Sequence, residues 1–461
     1  MSKPRNVTFM RMLLLAVCLA AGAVAKDDRH DGGKKWVASW TTAPQSTFAG
    51  VNAPRLVNLA FPFTPASPGV PATVPQATNQ TLRMIVKPDL WGDTMRVRLS
   101  NYWGTGAVTF GKVTIGLHSF SGATVAGTNR TLSFSGKQSV TVAAGTRVFS
   151  DEVKLSWARG GDDDEDGASA VEGRNLAISM YIPGQSGPMT FHSTALQESF
   201  LGAPNSGDHS SDDSDAAYPY ETSSWFFVDA VDVLAPADTR VLVGAGSSSV
   251  DGSITTPGNN DRFLNWMSRR LHAAYGQHVS VVNAGIGGDT AAIPGAGQTR
   301  PLREVLPERF DRDVLGASGI TDVVFYAGTN DFGDKIPSSQ SIDSLRSMVQ
   351  KLHGLGINAI GGTLISNVHQ GGTTTATYVA HDEINQFILH SGVFDSLADF
   401  YGATIDPNNI DPVSGFPVLR ADYQIHSDPD GTPDFLHLGR NGAEAEADTL
   451  DIGFFAPSRR R

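Results

Sequence analysis

In four stretches between Met95 and Ile182 apolar residues fall on every second position; beyond Pro236 that rhythm stops. Met95, Val97 and Leu99 alternate with Arg96, Arg98 and Ser100. Val113, Ile115 and Leu117, then Val153, Leu155 and Trp157, then Leu176, Ile178, Met180 and Ile182, repeat the pattern. A period of two puts all the apolar side chains of a strand on one face and leaves the other wet. The stretch from about Trp36 to Leu234 is therefore expected to form an antiparallel β-sandwich of jelly-roll-like character. The chain's 49 glycines and 25 prolines supply the turns that such a fold consumes.

After about Ala235 short apolar runs alternate with helical patterns. Val241–Gly244, Val279–Val282, Asp322–Tyr326 and Ala359–Ile365 read as buried strands. Phe263, Trp266, Met267 and Leu271 mark one helix face, and Ile342, Leu345, Val349 and Leu352 another. Ile384–Leu389 sits in a third helix. Strands without a polar face, separated by helices, imply a parallel sheet covered on both sides. With 461 residues the chain is too long for one ordinary core. The expected division is 26–235 for the β-sandwich and 236–461 for the α/β unit, with Pro236 at the change of pattern.

Residues 1–25 read as a secretory signal peptide. Lys3, Arg5 and Arg11 precede the apolar stretch Met12–Ala25, which ends in Ala23-Val24-Ala25. The stretch is shorter than the roughly 20 residues that span a bilayer. The expectation is a secreted protein without a stable membrane anchor. The only cysteine, Cys18, leaves with the leader, so no disulfide is expected. The formal charge of −12 becomes three units more negative on cleavage, which disfavours nucleic acid as a partner. Asn79-Gln80-Thr81 and Asn129-Arg130-Thr131 are glycosylation sequons. Two acidic, low-complexity stretches, 161–167 and 205–215, interrupt the β-rich half. Asp162, Asp164 and Asp166 followed by Gly167 resemble the opening of a calcium loop, but Glu172 falls one position early to close it. A solvated acidic loop is the expected reading.

Functional groups of an open parallel sheet gather beyond the carboxyl ends of its strands. Here those ends are followed by Ser247-Ser248-Ser249, by Asn283-Ala284-Gly285-Ile286-Gly287-Gly288-Asp289 and by Gly328-Thr329-Asn330-Asp331. Near the C-terminus comes Asp434-Phe435-Leu436-His437. A hydroxyl, a glycine-rich backbone, a carboxamide and an Asp–His pair are the parts that acyl transfer requires. A serine needs a base to take its proton, and a histidine base needs a carboxylate to orient it. The oxyanion needs fixed donors. No Gly-x-Ser-x-Gly motif is present. Only His30 and His437 have an aspartate three residues before them, and Asp27-x-x-His30 stands at the start of the mature chain. The residues alone leave open which of the three serines is the nucleophile.

These four blocks resemble the SGNH (GDSL-type) hydrolases, in order and spacing. The family's first block, usually Gly-Asp-Ser-x-x-x-Gly, reads Gly246-Ser247-Ser248-Ser249-Val250-Asp251-Gly252 here, with Asn260-x-Arg262-Phe263 in register downstream. The resemblance implies a flavodoxin-like αβα sandwich. It implies Ser248 as nucleophile, Asp434 and His437 as orienter and base, and Ser248, Gly288 and Asn330 as oxyanion donors. No cofactor and no metal are implied. Trp36-Val37-Ala38-Ser39-Trp40-Thr41 and Met95-Arg96-Val97-Arg98-Leu99-Ser100-Asn101 are similar to a subgroup with an N-terminal β-sandwich. Three features depart from the pattern. Ser247 stands where an aspartate usually helps hold the nucleophile loop, Leu438 where proline is common, and the 161–167 loop looks inserted.

The expected function is a secreted serine esterase acting through an acyl-enzyme on an acylated carbohydrate, a lipid or a small aryl ester. The alternative is a catalytically impaired protein of the same fold that binds carbohydrate or cell wall, with Ser247 as the mark of decay. Asp331 is expected to be structural.

Overall fold

The structure, a computed structural model, describes residues 29–30, 33–46, 76–158, 171–299, 304–425 and 432–456. The leader (1–25) and the acidic loop 161–167, with its calcium reading, lie outside the described residues.

Among the described residues, the β-rich half consists mainly of two six-stranded antiparallel sheets. One is centred on Lys34–Thr41, Val228–Pro236 and Thr94–Ser100. The other is centred on Thr78–Val86, Leu176–Gln185 and Lys112–Leu117. Alternate residues make the shared core as expected: Met95, Val97, Leu99, Val113, Ile115, Ile178 and Met180 are all buried.

The other faces are not wet, and this corrects the simple reading of the alternation. Arg98 is almost wholly buried and pairs with Asp229 at 2.5 Å. Its guanidinium also donates to Gly316 O at 2.8 Å, in the C-terminal half. Arg96 pairs with Asp232 at 2.9 Å and reaches Ser318 Oγ. The polar face of Thr94–Ser100 is thus an internal junction, with arginines neutralised by the neighbouring strand. On the second sheet, Arg83 is fully buried, bonds Ser179 Oγ at 2.8 Å and lies 4.2 Å from the centre of the Tyr218 ring. The 205–215 stretch helps cover that face: Asp212 O accepts from Arg83 at 2.6 Å. The expected strand over Val153–Trp157 also stops early. Only Val153–Lys154 pairs, and Ser156–Ala158 turns into a 3-10 helix.

Among the described residues, the C-terminal half is built on five parallel strands. Their order across the sheet is Val279–Asn283, Arg240–Gly246, Asp322–Tyr326, Asn358–Gly362 and Ser396–Ala398. In chain order this is 2-1-3-4-5, the flavodoxin-like arrangement with its switch point beside the first strand. The α-helices among the described residues are α1 (Ser248–Asp251), α2 (Phe263–Tyr275), α3 (Leu306–Arg309), α4 (Ser338–Gly354), α5 (Thr375–His390), α6 (Phe400–Thr404) and α7 (Arg440–Asp448). Two glycines reveal their distribution. A Cβ on Gly361 would meet Ile388 of α5 at 2.8 Å, and one on Gly362 would run into Phe400 of α6. Successive residues of a strand face opposite ways, so α5 and α6 cover opposite faces. α4 packs with α5, while α6 and α2 both pack on α7. This is the αβα sandwich, preceded by antiparallel sheets, that the sequence patterns implied.

The two halves share one continuous apolar core. Polar contacts also join them: Ala38 N donates to Ser318 O, Ser280 Oγ to Ala38 O, and Thr41 Oγ1 to Asn283 O. No helix among the described residues is long and apolar enough to cross a membrane.

Candidate active site

The first parallel strand ends at Gly246, and Ser248 opens α1 two residues later. One turn on, Gly252 takes a left-handed φ of 97°, and its N–H closes the helix on Ser248 O. A strand running straight into a single tight turn presents the first side chain of that turn at the sheet's carboxyl edge. Ser248 is largely buried, at 8% exposure.

His437 Nε2 lies 2.7 Å from Ser248 Oγ. His437 Nδ1 lies 2.6 Å from Asp434 Oδ2. Asp434 Oδ1 also accepts from the backbone N–H groups of Leu436 (3.0 Å) and His437 (2.9 Å), so the aspartate folds its own turn while it orients the ring. With the carboxylate accepting at Nδ1, that nitrogen donates and Nε2 is left to accept from the serine hydroxyl. Burial pushes the Asp434 carboxyl up, but the bonds from the His437 ring and from the His437 and Leu436 amides outweigh it and hold it below its ordinary value. Leu438 is buried in the core and follows the histidine directly into α7.

The loop after the second strand wraps beside α1. Asn283 clamps it: Oδ1 accepts from Gly285 N at 2.7 Å and Nδ2 donates to Val250 O at 2.7 Å. Gly285 packs so closely that a Cβ would strike the Asp251 amide. A Cβ on Gly287 would sit 3.9 Å from Ser248 Cβ, which locates this loop against the serine. Gly288 holds φ at 77°, a conformation that favours glycine. Asn330 follows the third strand on a short 3-10 turn, and its Nδ2 donates to Asp289 O at 2.8 Å. That nitrogen carries two protons, so one remains to point elsewhere. Asp331 lies beneath, accepting from Ala291 N (2.8 Å), Ala292 N (3.2 Å) and Ser341 Oγ (2.7 Å). Burial pushes its carboxyl up to about 7. These contacts give it a structural position. The structure thus brings Ser248, His437 and Asp434 into direct contact, with Gly288 and Asn330 on the adjoining loops.

Three supporting residues escaped the sequence reading. Arg309 is fully buried; it donates to Asp289 Oδ2 (2.8 Å), Ala284 O (2.6 Å) and Gly246 O (3.1 Å), and so ties the first two blocks together. Asp251 Oδ2 accepts from Gly287 N at 3.0 Å. His192, from the β-rich half, binds the other oxygen of Asp251 at 2.9 Å. Asp251 stands three residues after Ser248 on one helical turn, a spacing that could have drawn attention to it. Nothing local marks Arg309 or His192.

A cleft of about 650 Å³ opens beside these two loops, lined by Gly288, Asn330, Thr329, Phe332, Gln370 and Thr373 among others. A second cavity of about 440 Å³ lies at the junction of the halves, near Trp40 and Trp225. In the small cavity that His437 and Glu446 line together, Tyr326 donates to the buried Glu446 at 2.8 Å. Burial pushes Glu446 up to about 8.

Residues 245–445 match the model of the GDSL-like lipase/acylhydrolase family. No curated protein matches the chain. Among solved structures, the lipase/acylhydrolase from Enterococcus faecalis is 19% identical, with 48% of this chain and 100% of that chain covered and a TM-score of 0.34. The psychrotrophic esterase EstA from Pseudoalteromonas sp. is 13% identical, with 46% and 93% covered and a TM-score of 0.31. A carbohydrate esterase family 2 enzyme with a carbohydrate binding domain, from Corynascus thermopiles, is 12% identical, with 83% and 98% covered and a TM-score of 0.32.

Proposed function

Because residues 245–445 are a GDSL-like lipase/acylhydrolase domain, we propose that the chain is a secreted serine esterase that cleaves carboxylic esters through Ser248, His437 and Asp434. The observation that carries this reading is the unbroken chain of contacts from Asp434 through His437 to Ser248, at 2.6 and 2.7 Å. Secretion rests on the leader at 1–25, and the proposed organisation is 26–235 for the β-sandwich and 236–461 for the hydrolase unit.

Ser248 Oγ attacks the ester carbonyl carbon and passes its proton to His437 Nε2. Asp434 fixes the ring and stabilises the imidazolium. The carbonyl oxygen takes the negative charge and is held by the amides of Ser248 and Gly288 and by Asn330 Nδ2. The intermediate collapses, and the leaving alkoxide takes the proton from Nε2. Water then attacks the acyl-enzyme while giving its proton to the same nitrogen. The Ser248–acyl bond breaks, the acid departs, and the serine recovers its proton. Every step uses this chain's own groups. The substrate class is an acylated carbohydrate, a lipid or a small aryl ester bound along the cleft beside Gly288 and Asn330.

The alternative, a binding protein that has lost hydrolysis, rests on Ser247 in place of aspartate. It weighs less because Asn283, Asp251 and Arg309 supply the anchoring that a carboxylate at 247 would give. A fluorophosphonate decides between the two. Covalent labelling at Ser248 and turnover of a short-chain aryl ester are expected; an unlabelled, inactive mature protein would favour the binding reading.

A further inference from the structure

His192 and Asp251 form a buried pair across the junction of the two halves, each side chain 3% exposed. His192 sits on the two-residue strand Phe191–His192, which pairs with Trp225–Phe226. Its ring stacks on Trp225 at 5.7 Å between centroids, and Trp225 Nε1 is itself tied to Ile85 O at 2.8 Å. His192 Nδ1 faces Ala43 O at 2.8 Å and Nε2 faces Asp251 Oδ1 at 2.9 Å. Both ring nitrogens thus lie within hydrogen-bond distance of an oxygen. The imidazole is fixed by three elements of the β-rich half, and its one contact with the hydrolase unit among these is Asp251.

Asp251 closes α1, whose first residue is Ser248. Its second oxygen accepts from Gly287 N at 3.0 Å, immediately before Gly288. Its backbone carbonyl accepts from Arg262 Nε at 2.6 Å, and the same guanidinium reaches back to Ala195 O at 2.6 Å. A carboxylate held from one side can hold a loop amide on the other; a carboxylate free to rotate cannot.

We infer that His192 is a positioning residue for the esterase site: by fixing Asp251 it sets the Gly287–Gly288 backbone that serves the oxyanion, so the β-rich half takes part in the reaction without touching substrate. The inference rests on the reading of Gly288 as an oxyanion donor. It also gives Asp251 the anchoring task left vacant by Ser247.

The test uses the full mature chain with His192→Phe, His192→Gln and Asp251→Asn. A single oxyanion donor is worth about 10²–10³ in kcat, so partial misplacement should lower kcat by about 10- to 100-fold. That loss is expected in His192→Phe with KM within about twofold, and His192→Gln, which can still donate to the carboxylate, should recover most of it. Asp251→Asn should fall as far as His192→Phe. The double variant His192→Phe/Asp251→Asn should be no worse than the worse single, since both act through one contact. Hydrogen exchange followed by mass spectrometry over residues 284–290 gives a readout independent of turnover. Faster exchange in His192→Phe and Asp251→Asn is expected. Unchanged exchange would overturn the inference, as would faster exchange with kcat at the wild-type value. If His192→Phe does not fold, His192→Ala, which also lacks the donor, takes its place in the same comparison. A wild-type protein that fluorophosphonate does not label would refute the esterase reading instead, and the exchange measurement would still decide whether His192 sets this loop.

Discussion

His437 Nε2 stands 2.7 Å from Ser248 Oγ across 189 positions of sequence. The contact with the ring falls on Ser248 and not on Ser249, the next residue. Ser248→Ala should therefore lower kcat for an aryl ester by about 10⁴-fold or more, while Ser249→Ala stays within a few-fold of wild type. Steady-state hydrolysis of the two variants checks the assignment, and loss in Ser249→Ala alone would move the nucleophile.

Asn330 donates one Nδ2 proton to Asp289 O. If the second meets the oxyanion, Asn330→Ala should cost about 10²–10³ in kcat with KM little changed, because the contact forms in the transition state. A rise in KM at constant kcat would assign Asn330 to ground-state binding.

Asp434 is held below its ordinary value despite burial, by the His437 ring and two backbone amides. A depressed carboxylate contributes stability that is present above the unfolded value, about 3.9, and is lost as pH falls through the lower folded value. The Asp434 carboxylate thus stays charged at mildly acid pH. Asp434→Asn should lower kcat by about 10³–10⁴ across the whole pH range without removing phosphonate-accessible fold. A pH–rate profile of both proteins tests this.

Glu446 is raised by burial from 4.5 to about 8, with Tyr326 as its hydrogen-bond donor. Below 4.5 both folded and unfolded states hold the proton. Between 4.5 and about 8 only the unfolded state releases it, so stability falls with rising pH; above that the slope ends. Glu446→Gln keeps the acceptor and removes the titration. Its melting temperature should exceed wild type by an amount that grows from pH 5 to pH 8, reaching on the order of a few °C. A difference independent of pH would contradict the buried-acid account.

Arg309 is fully buried among Asp289, Asp313, Ala284 O and Gly246 O. Arg309→Met leaves the carboxylates of Asp289 and Asp313 short of a partner. Removing one member of a buried ionic cluster costs about 3–5 kcal/mol. Urea unfolding should show a loss of that order, together with weaker labelling of Ser248.

The change of apolar period at Pro236, the strands beneath it and the Asp434-x-x-His437 spacing were legible locally, because side-chain alternation and a three-residue turn are properties of neighbouring positions. The wet face expected beside Met95, Val97 and Leu99 was not: Arg96 and Arg98 look solvent-directed until a second unit is laid over them, with Asp232 and Asp229 to neutralise them. The same holds for the 205–215 stretch, whose carbonyl at Asp212 becomes a buried acceptor only when Arg83 reaches it. Sequence by itself determined the kinds of element, their order and the chemical groups at the strand ends. Only the tertiary structure decided that Arg309, Asp251 and His192 hold the loops. Hydrogen bonds and ion pairs act over about 3 Å in space, and between residues like His192 and Asp251, 59 positions apart, nothing in the intervening chain encodes that distance.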